Sequence, residues 1–527
     1  MAYNNRHMSQ QKKLVNSGPV VLVILDGFGW APESAGNVIN KKTVPNFFQY
    51  WDNYPHTLLK AHGEAVGLFP NQQGNSEAGH INLGSGRVVK QDLVQISDAI
   101  HDGTFFKNEA FRQALYHCQK YHTAVHVLGL LTDGNSAHAY PEHLYAMLEF
   151  FRREGQKEVY LHLITDGRDS PPHGALNYLH ELRGHLLAGE KIATITGRFY
   201  SMDRNKFWDR TQAAYEAMVL GKGCQAASAE EAISQAYNRG ETDEYICPTV
   251  IQEGKKSVGL VKDNDAIFFI NARSDRARQI AKAFVQIDFQ KRNPQAFRRS
   301  KFPQNTRFVA MTDFGPDLDH IMTAFPSQDL VNTLPMVLGD LRQLYVAESE
   351  KYAHITYFFN GGYADPVAGE EREKISSPNV RHYNEQPAMS ALGVTRAVLA
   401  SLEKKQHDFI CLNFANPDMI GHTGDMEAAR QGLAVVDKSL QKIVRAALKK
   451  KGKVLIVADH GNAEDMLNLE TGEMRTEHTT NLVPCVLVDP SAGKKKGRPG
   501  SLADVAPTIL KLYGRVKPKE MTGRALF

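Results

Sequence analysis

Short apolar runs rich in β-branched residues recur along the chain, each followed by a stretch with helical spacing. This alternation predicts an α/β protein of two domains, with mainly parallel sheets flanked by helices. Strands are expected at 19–25 (PVVLVIL), 124–131 (AVHVLGLL), 158–164 (EVYLHLI), 191–196 (KIATIT), 266–271 (AIFFIN), 354–359 (HITYFF), 408–414 (DFICLNF) and 453–458 (KVLIVA). Ligands of open α/β sheets bind outside the carboxyl ends of the strands, so the residues that follow each run carry the functional signal.

Those ends fall into two chemical sets. Asp26 follows the first strand, Asp418 and His422 follow the LNF strand, and Asp459 and His460 follow the VLIVA strand. The middle strands lead instead into TDGRDS, TGRFYSMDR and NARSDRAR, which bring Arg168, Arg198, Arg204, Arg273 and Arg276. The order acid, arginine, acid predicts a middle domain inserted into an outer one. Residues 18–90 and 326–527 would form a discontinuous outer domain, 91–325 the insert, and 1–17 a flexible N-terminal tail. A length of 527 residues suits more than one unit, because single cores stop growing well below it. The lysine run SAGKKKGRPG reads as a solvated turn, given its Gly and Pro neighbours.

Composition narrows the partners. The 62 basic and 58 acidic residues nearly balance, which gives no support for a nucleic acid or a membrane surface as partner. Any anion preference must therefore come from local arginine clusters. Five cysteines, Cys118, Cys224, Cys247, Cys411 and Cys485, show no CxxC spacing, and an odd number cannot pair fully within one chain. A reducing cytoplasm fits this usage. No run approaches the roughly 20 apolar residues that span a bilayer.

Asp418 and His422 stand four residues apart, so a helical turn puts both on one face, where they could bite one cation; a helix cap followed by a surface histidine is the plain alternative. Asp459 and His460 emerge where a core strand stops, and His478 in RTEHTTN is either a third imidazole or a loop residue. Mixed carboxylate and imidazole ligands suit Mn²⁺ or Zn²⁺ better than Mg²⁺. Two cations would clamp a transferring phosphoryl group and make Ser76, in NSEAGH, a nucleophile; its alternative role is the N-cap of the helix SEAGHINL. Guanidinium groups suit bidentate capture of carboxylate or phosphate, and Asp169 and His138 beside them are candidates for acid and base work.

The motifs DGFGW, GNSEAGH, DGRD, GRFYSMDR, SDRARQ, EKYAHITYFFNGG, NPDMIGH, ADHGNAE and EHTTN resemble those of the cofactor-independent phosphoglycerate mutases of the alkaline phosphatase superfamily. The resemblance runs from about Val20 to the C-terminus. It implies a phosphatase-like domain holding two Mn²⁺ ions, one on Asp418, His422 and His478 and the other on Asp26, Ser76, Asp459 and His460. It further implies that His138, Arg168, Asp169, Arg198, Arg204, Arg273, Arg276 and Lys351 bind or work on the phosphoglycerate, with Ser76, His138 and Asp169 catalytic. The expected reaction interconverts 3-phosphoglycerate and 2-phosphoglycerate through a phosphoserine on Ser76, without 2,3-bisphosphoglycerate, in a cytoplasmic monomer. Closure of the two domains would keep water from the intermediate. Rival readings are a phosphatase or other phosphomutase of the same superfamily and a metal-binding protein without catalysis. Two departures stand out: the family's DGGVHSH reads DGNSAHAY here, so the assignment of His138 needs a gap, and the family's Asn-Phe-Arg reads Asn271-Ala272-Arg273.

Overall fold

Six consecutive apolar residues leave no face for water, so VVLVIL as a strand must be covered on both sides. In the computed structural model, Val20–Leu25 is buried throughout and lies inside an eight-stranded sheet. The structure describes residues 18–527 apart from 316, 319, 328, 494 and 495. The expected tail over 1–17 and two lysines of the SAGKKKGRPG run lie outside the described residues.

Contacts divide the described chain into two units, 18–91 with 329–527 and 92–328. The first holds the eight-stranded sheet, in the order Glu371–Ile375, Gln343–Glu348, Phe409–Phe414, Val20–Leu25, Lys453–Val457, Val483–Val488, His56–Lys60, Gly500–Ser501. The first five strands run parallel, and Val483–Val488 is antiparallel to both its neighbours. Register decides what this sheet can do. Ile24 sits opposite both Asn413 and Val457, so three strands finish level and deliver Asp26, the 415–422 turn and Asp459 to one place. Helices cover the sheet; in Met426–Lys449 the residues Ala429, Leu433, Val436, Leu440, Ile443, Val444 and Ala447 recur at three- and four-residue spacing and are buried.

The second unit is a nine-stranded sheet whose main path runs Ile321–Phe325, Arg307–Thr312, Ala266–Phe269, Val125–Leu131, Val159–Thr165, Glu190–Gly197, Thr249–Glu253, Cys224–Ala226. Six strands are parallel, and Thr249–Glu253 runs against Glu190–Gly197. Leu131 lies opposite Thr165, and Thr165 opposite Gly197, so here too the carboxyl ends are level.

One expected strand is absent. HITYFF forms a π-helix over His354–Phe358, with Ile355 and Phe359 fully buried and the rings of His354 and Phe358 stacked at 5.5 Å. Aromatic and β-branched composition mimics a strand, but the buried residues recur every four positions rather than every two. Such π-helical turns occur often at functional sites. Among the described residues, no helix is long and apolar enough to cross a membrane.

Candidate active site

The carboxyl ends of the level strands in the first unit gather a buried acidic cluster. Asp26, Asp459 and His460 are fully buried, and Asp418 nearly so. Gly27 permits the approach: its backbone is left-handed at φ +70°, and an added Cβ would stand 2.7 Å from the Asp418 Cα. Ser76 enters from the other side as the first residue of the helix Ser76–Ser85. Asn75, not Ser76, is the N-cap, its side chain accepting from the Ala78 N–H at 2.8 Å. The Ser76 hydroxyl is thereby released from capping and turns to the acidic cluster. It donates to Asp26 Oδ1 at 3.2 Å and lies 2.9 Å from His460 Nε2.

Lys351 meets the same groups. Its ammonium donates to Ser76 Oγ at 2.7 Å and lies 2.6 Å from both Asp26 Oδ1 and Asp418 Oδ2. The structure thus places Lys351 among the carboxylates of the first unit, although the family resemblance groups it with the arginines. Burial alone would lower its basicity, yet Asp26, Asp418 and Asp459 hold it well above the usual lysine range. Burial works to raise Asp26 and Asp418 in turn, but Lys351 keeps both carboxyls well below theirs. Burial opposes protonation of His460, while Asp459 and Asp26 lift it to about 9.

At the rim, His478 Nε2 lies 3.1 Å from Asp418 Oδ1 and 3.0 Å from His422 Nε2. His422 Nε2 is 3.3 Å from the same Asp418 oxygen, across the i,i+4 spacing. Backbone carbonyls fix the far side of both rings: Thr476 O is 2.8 Å from His422 Nδ1 and Gly74 O 2.8 Å from His478 Nδ1. Such partners orient an imidazole ligand and set its tautomer.

Three groups of potential ligand atoms converge within 4.8 Å: Asp418, His422 and His478; Asp26, Asp418 and His460; and Asp26, His80 and Asp459. Asp459 Oδ2 is buried without a hydrogen bond, with His80 Nδ1 at 3.2 Å and His460 Nε2 at 3.6 Å as its imidazole neighbours, a setting that suits a shared cation. The donor set, carboxylate oxygen with imidazole nitrogen, fits a divalent transition metal.

Sequence reasoning missed three residues here. His80 Nδ1 lies 2.9 Å from Ser76 O and 3.2 Å from Asp459 Oδ2; the i,i+4 spacing from Ser76 within NSEAGH was its only signal. Asn413 donates to Asp26 Oδ2 at 2.7 Å from the second-to-last position of the strand Phe409–Phe414. Glu464, fully enclosed, ties three ligand-bearing loops together. It accepts from Gly29 N at 3.0 Å, Asn462 N at 2.8 Å, Asn481 Nδ2 at 3.1 Å and the Thr479 hydroxyl.

The second unit assembles the arginines at its own strand ends. Arg198, buried, binds Asp166 at 2.5 Å and Asp169 Oδ2 at 2.9 Å. Asp275 takes Arg204 at 2.7 Å and Arg273 at 3.3 Å, and Arg276 donates to Met202 O at 3.3 Å. Arg168 is the outlying member, 3.5 Å from Glu244. Burial and the charges of Arg204, Arg198 and Arg168 lower the basicity of Arg276, the mark of a cationic cluster suited to an anion. His138 is buried, with Nδ1 unpartnered; burial first, and the charges of Arg198 and Arg273, push it down to about 4, so its ring is neutral near pH 7. Asp169 stays ionised because Arg198 and Ser136 outweigh its burial. Ser136 joins the pair: its hydroxyl donates to Asp169 Oδ2 at 2.7 Å and accepts from His138 N at 3.2 Å. The altered DGNSAHAY segment therefore brings His138 and Asp169 together.

The chain is similar to known proteins over nearly its whole length. Residues 96–316 match the family described as BPG-independent PGAM N-terminus, and residues 300–472 match Type I phosphodiesterase / nucleotide pyrophosphatase. The chain is 45% identical over 511 residues to the 2,3-bisphosphoglycerate-independent phosphoglycerate mutase of Acetivibrio thermocellus, covering 96% of this chain and 98% of that protein. It is 47% identical over 512 residues to the protein of the same name from Desulforudis audaxviator, covering 96% and 99%. A crystal structure of Leishmania mexicana phosphoglycerate mutase at low cobalt concentration superposes with a TM-score of 0.75 at 29% identity, covering 98% of this chain and 99% of that one.

Proposed function

The chain belongs to the 2,3-bisphosphoglycerate-independent phosphoglycerate mutase family, and from that premise we propose that it interconverts 3-phosphoglycerate and 2-phosphoglycerate through a phosphoserine on Ser76. The activity is that of an isomerase. The observation that carries the serine assignment is the Ser76 hydroxyl, which opens a helix and touches Asp26, His460 and Lys351 at once. A helix N-terminus favours the phosphoryl group, and the Lys351 ammonium stabilises negative charge on the attacking oxygen.

In this reading Asp418, His422 and His478 hold one Mn²⁺, and Asp26, Ser76, Asp459 and His460 the other. When bound, such cations lower the pKa of a hydroxyl and neutralise a transferring phosphoryl group. The steps then fall to the chain's own groups. Ser76 Oγ gives up its proton and bonds to phosphorus as the ester bond to glycerate breaks, and the freed glycerate oxygen takes up a proton in its place. Arg168, Arg198, Arg204, Arg273 and Arg276 retain the glycerate carboxylate while it reorients. Asp169, held ionised, accepts a proton from the second hydroxyl, with the neutral His138 imidazole beside it as partner; that oxygen attacks phosphorus, the bond from phosphorus to Ser76 Oγ breaks, and Oγ takes up a proton, which restores the serine hydroxyl. The protein works as a cytoplasmic monomer.

A phosphatase of the same superfamily would need the metal residues alone, and the arginine set of the second unit argues for the mutase. The test is an assay coupled to enolase without added 2,3-bisphosphoglycerate, run on wild type and Ser76→Ala with mass spectrometry of trapped phosphopeptide. Activity in the wild type, none in the variant and phosphate on Ser76 are expected. Phosphate on a histidine, or an active Ser76→Ala, refutes the assignment.

A further inference from the structure

Two cysteines of the second unit have no part in this reaction, yet they meet. Cys224 opens the strand Cys224–Ala226, the edge of its sheet, and Cys247 stands two residues before the parallel neighbour Thr249–Glu253. The Cys224 N–H donates to Pro248 O at 2.9 Å, and Thr249 Oγ1 donates to Cys247 O at 2.7 Å, so the backbone beside both is fixed. Their sulfurs are in contact at 2.8 Å, and both residues are partly exposed, whereas Cys118, Cys411 and Cys485 are buried. Packing alone would be served by any small apolar pair. Two free thiols on partly exposed residues beside a sheet edge, held together by the fixed backbone around them, also have a chemistry of their own.

We propose that Cys224 and Cys247 form an oxidisable thiol pair, converted by hydrogen peroxide into a reversible intrachain disulfide. One thiolate attacks a peroxide oxygen; the O–O bond breaks, giving a sulfenic acid and, with the thiol's proton, one water. The second sulfur attacks the sulfenic sulfur, the S–O bond breaks, and a second water leaves. Two thiols lose two electrons in total and one peroxide gains them. A thiol reductant reverses the product by exchange, so in a reducing compartment the disulfide is transient.

The bond would fasten a functional segment. Between Glu241 and Pro248 lie Asp243, whose carboxylate accepts from Gly174 N and Ala175 N at 2.9 Å, and Glu244, the partner of Arg168. Ile246 O accepts from Gly197 N at 2.8 Å, immediately before Arg198. Oxidation therefore ties the backing of Arg168 and Arg198 to the sheet edge.

The experiment exposes the full-length, Mn²⁺-loaded protein to hydrogen peroxide, then alkylates it under denaturing conditions and maps the peptides by mass spectrometry. Burial and the neighbouring sulfur push the Cys247 thiol up to about 11, so the reaction is run at mildly alkaline pH. Of the five thiols, two should disappear, the Cys224–Cys247 linked peptide should appear, and dithiothreitol should restore all five. Cys224→Ser and Cys247→Ser should each abolish the link; if either fails to fold, the wild-type map decides alone. Five thiols surviving a peroxide dose that consumes an added cysteine peptide overturns the proposal. So does sulfinic acid on either residue without a link, or a cross-link between chains.

Discussion

Replacing Lys351 by methionine isolates the charge balance of the buried cluster. Lys351 is 4% exposed, and its ammonium lies 2.6 Å from both Asp26 and Asp418. Methionine fills much of the stem's volume, so the change is electrostatic more than a cavity. Removing one member of a buried ion pair costs about 3–5 kcal/mol, because the partner charge is left uncompensated. The group is held above its usual value of 10.5, so its stabilisation is complete below that pH and is lost only as pH rises through the higher folded value. Near pH 7 an assay therefore reads the whole effect. Urea unfolding followed by tryptophan fluorescence in a Trp208→Phe background reports on the right unit, since Trp30 and Trp51 share it with Lys351 and Trp208 does not. With chelator present, Lys351→Met should lose about 3–5 kcal/mol; with saturating Mn²⁺ it should lose clearly less, because the cations supply the missing positive charge. A loss under about 1 kcal/mol, the scale of an exposed pair, refutes the reasoning, as does an equal loss with and without metal.

The double variant Arg273→Ala with Arg276→Ala should depress mutase activity by about two to four orders of magnitude, at ~1.5–3 kcal/mol per lost charge-assisted contact. Hydrolysis of p-nitrophenyl phosphate by the same preparation should persist, and an equal fall in both activities counts against separate roles for the two units. Glu464→Gln should weaken Mn²⁺ binding about 10–100-fold by calorimetry while circular dichroism stays unchanged; unaltered affinity removes Glu464 from the support of the ligand loops. Burial pushes His143 down to about 3 from 6.5, so the unfolded chain takes up a proton that the folded chain refuses. Stability contributed by the neutral ring is full above 6.5 and falls as pH drops toward 3, by up to about 1.4 kcal/mol per pH unit. Urea midpoints of His143→Gln across that range should show a shallower slope than wild type, and parallel slopes contradict the assignment.

Much of the architecture is legible in one dimension because central parallel strands must be apolar on both faces, as in VVLVIL and FICLNF. Strands with mixed surroundings escape that logic: Gln343–Glu348 begins and ends on polar residues, and Val483–Val488 carries Pro484. HITYFF misleads in the opposite direction, since its composition favours a strand while its burial follows a helical period. In the candidate site, charged residues placed directly after strands announce themselves, as Asp26 and Asp459 do. Lys351, by contrast, sits in the turn before the π-helix and is defined by partners far along the chain. Glu464 is invisible for the same reason. Its role consists of four donors from three loops, and no spacing rule encodes that.

The level register around Val20–Leu25 also has a consequence for biosynthesis. That strand leaves the ribosome before its two partners, Phe409–Phe414 and Lys453–Val457, which are made several hundred residues later. At about 5–20 residues per second the wait is roughly 20–80 s. Throughout it, the nascent chain carries an unpaired, wholly apolar strand of high β-propensity, a segment prone to pairing with other chains. The residues between 92 and 328 are completed meanwhile and can fold first. Yield in cells should therefore depend on what shelters these six residues during translation, an exposure to which the finished, fully buried strand gives no clue.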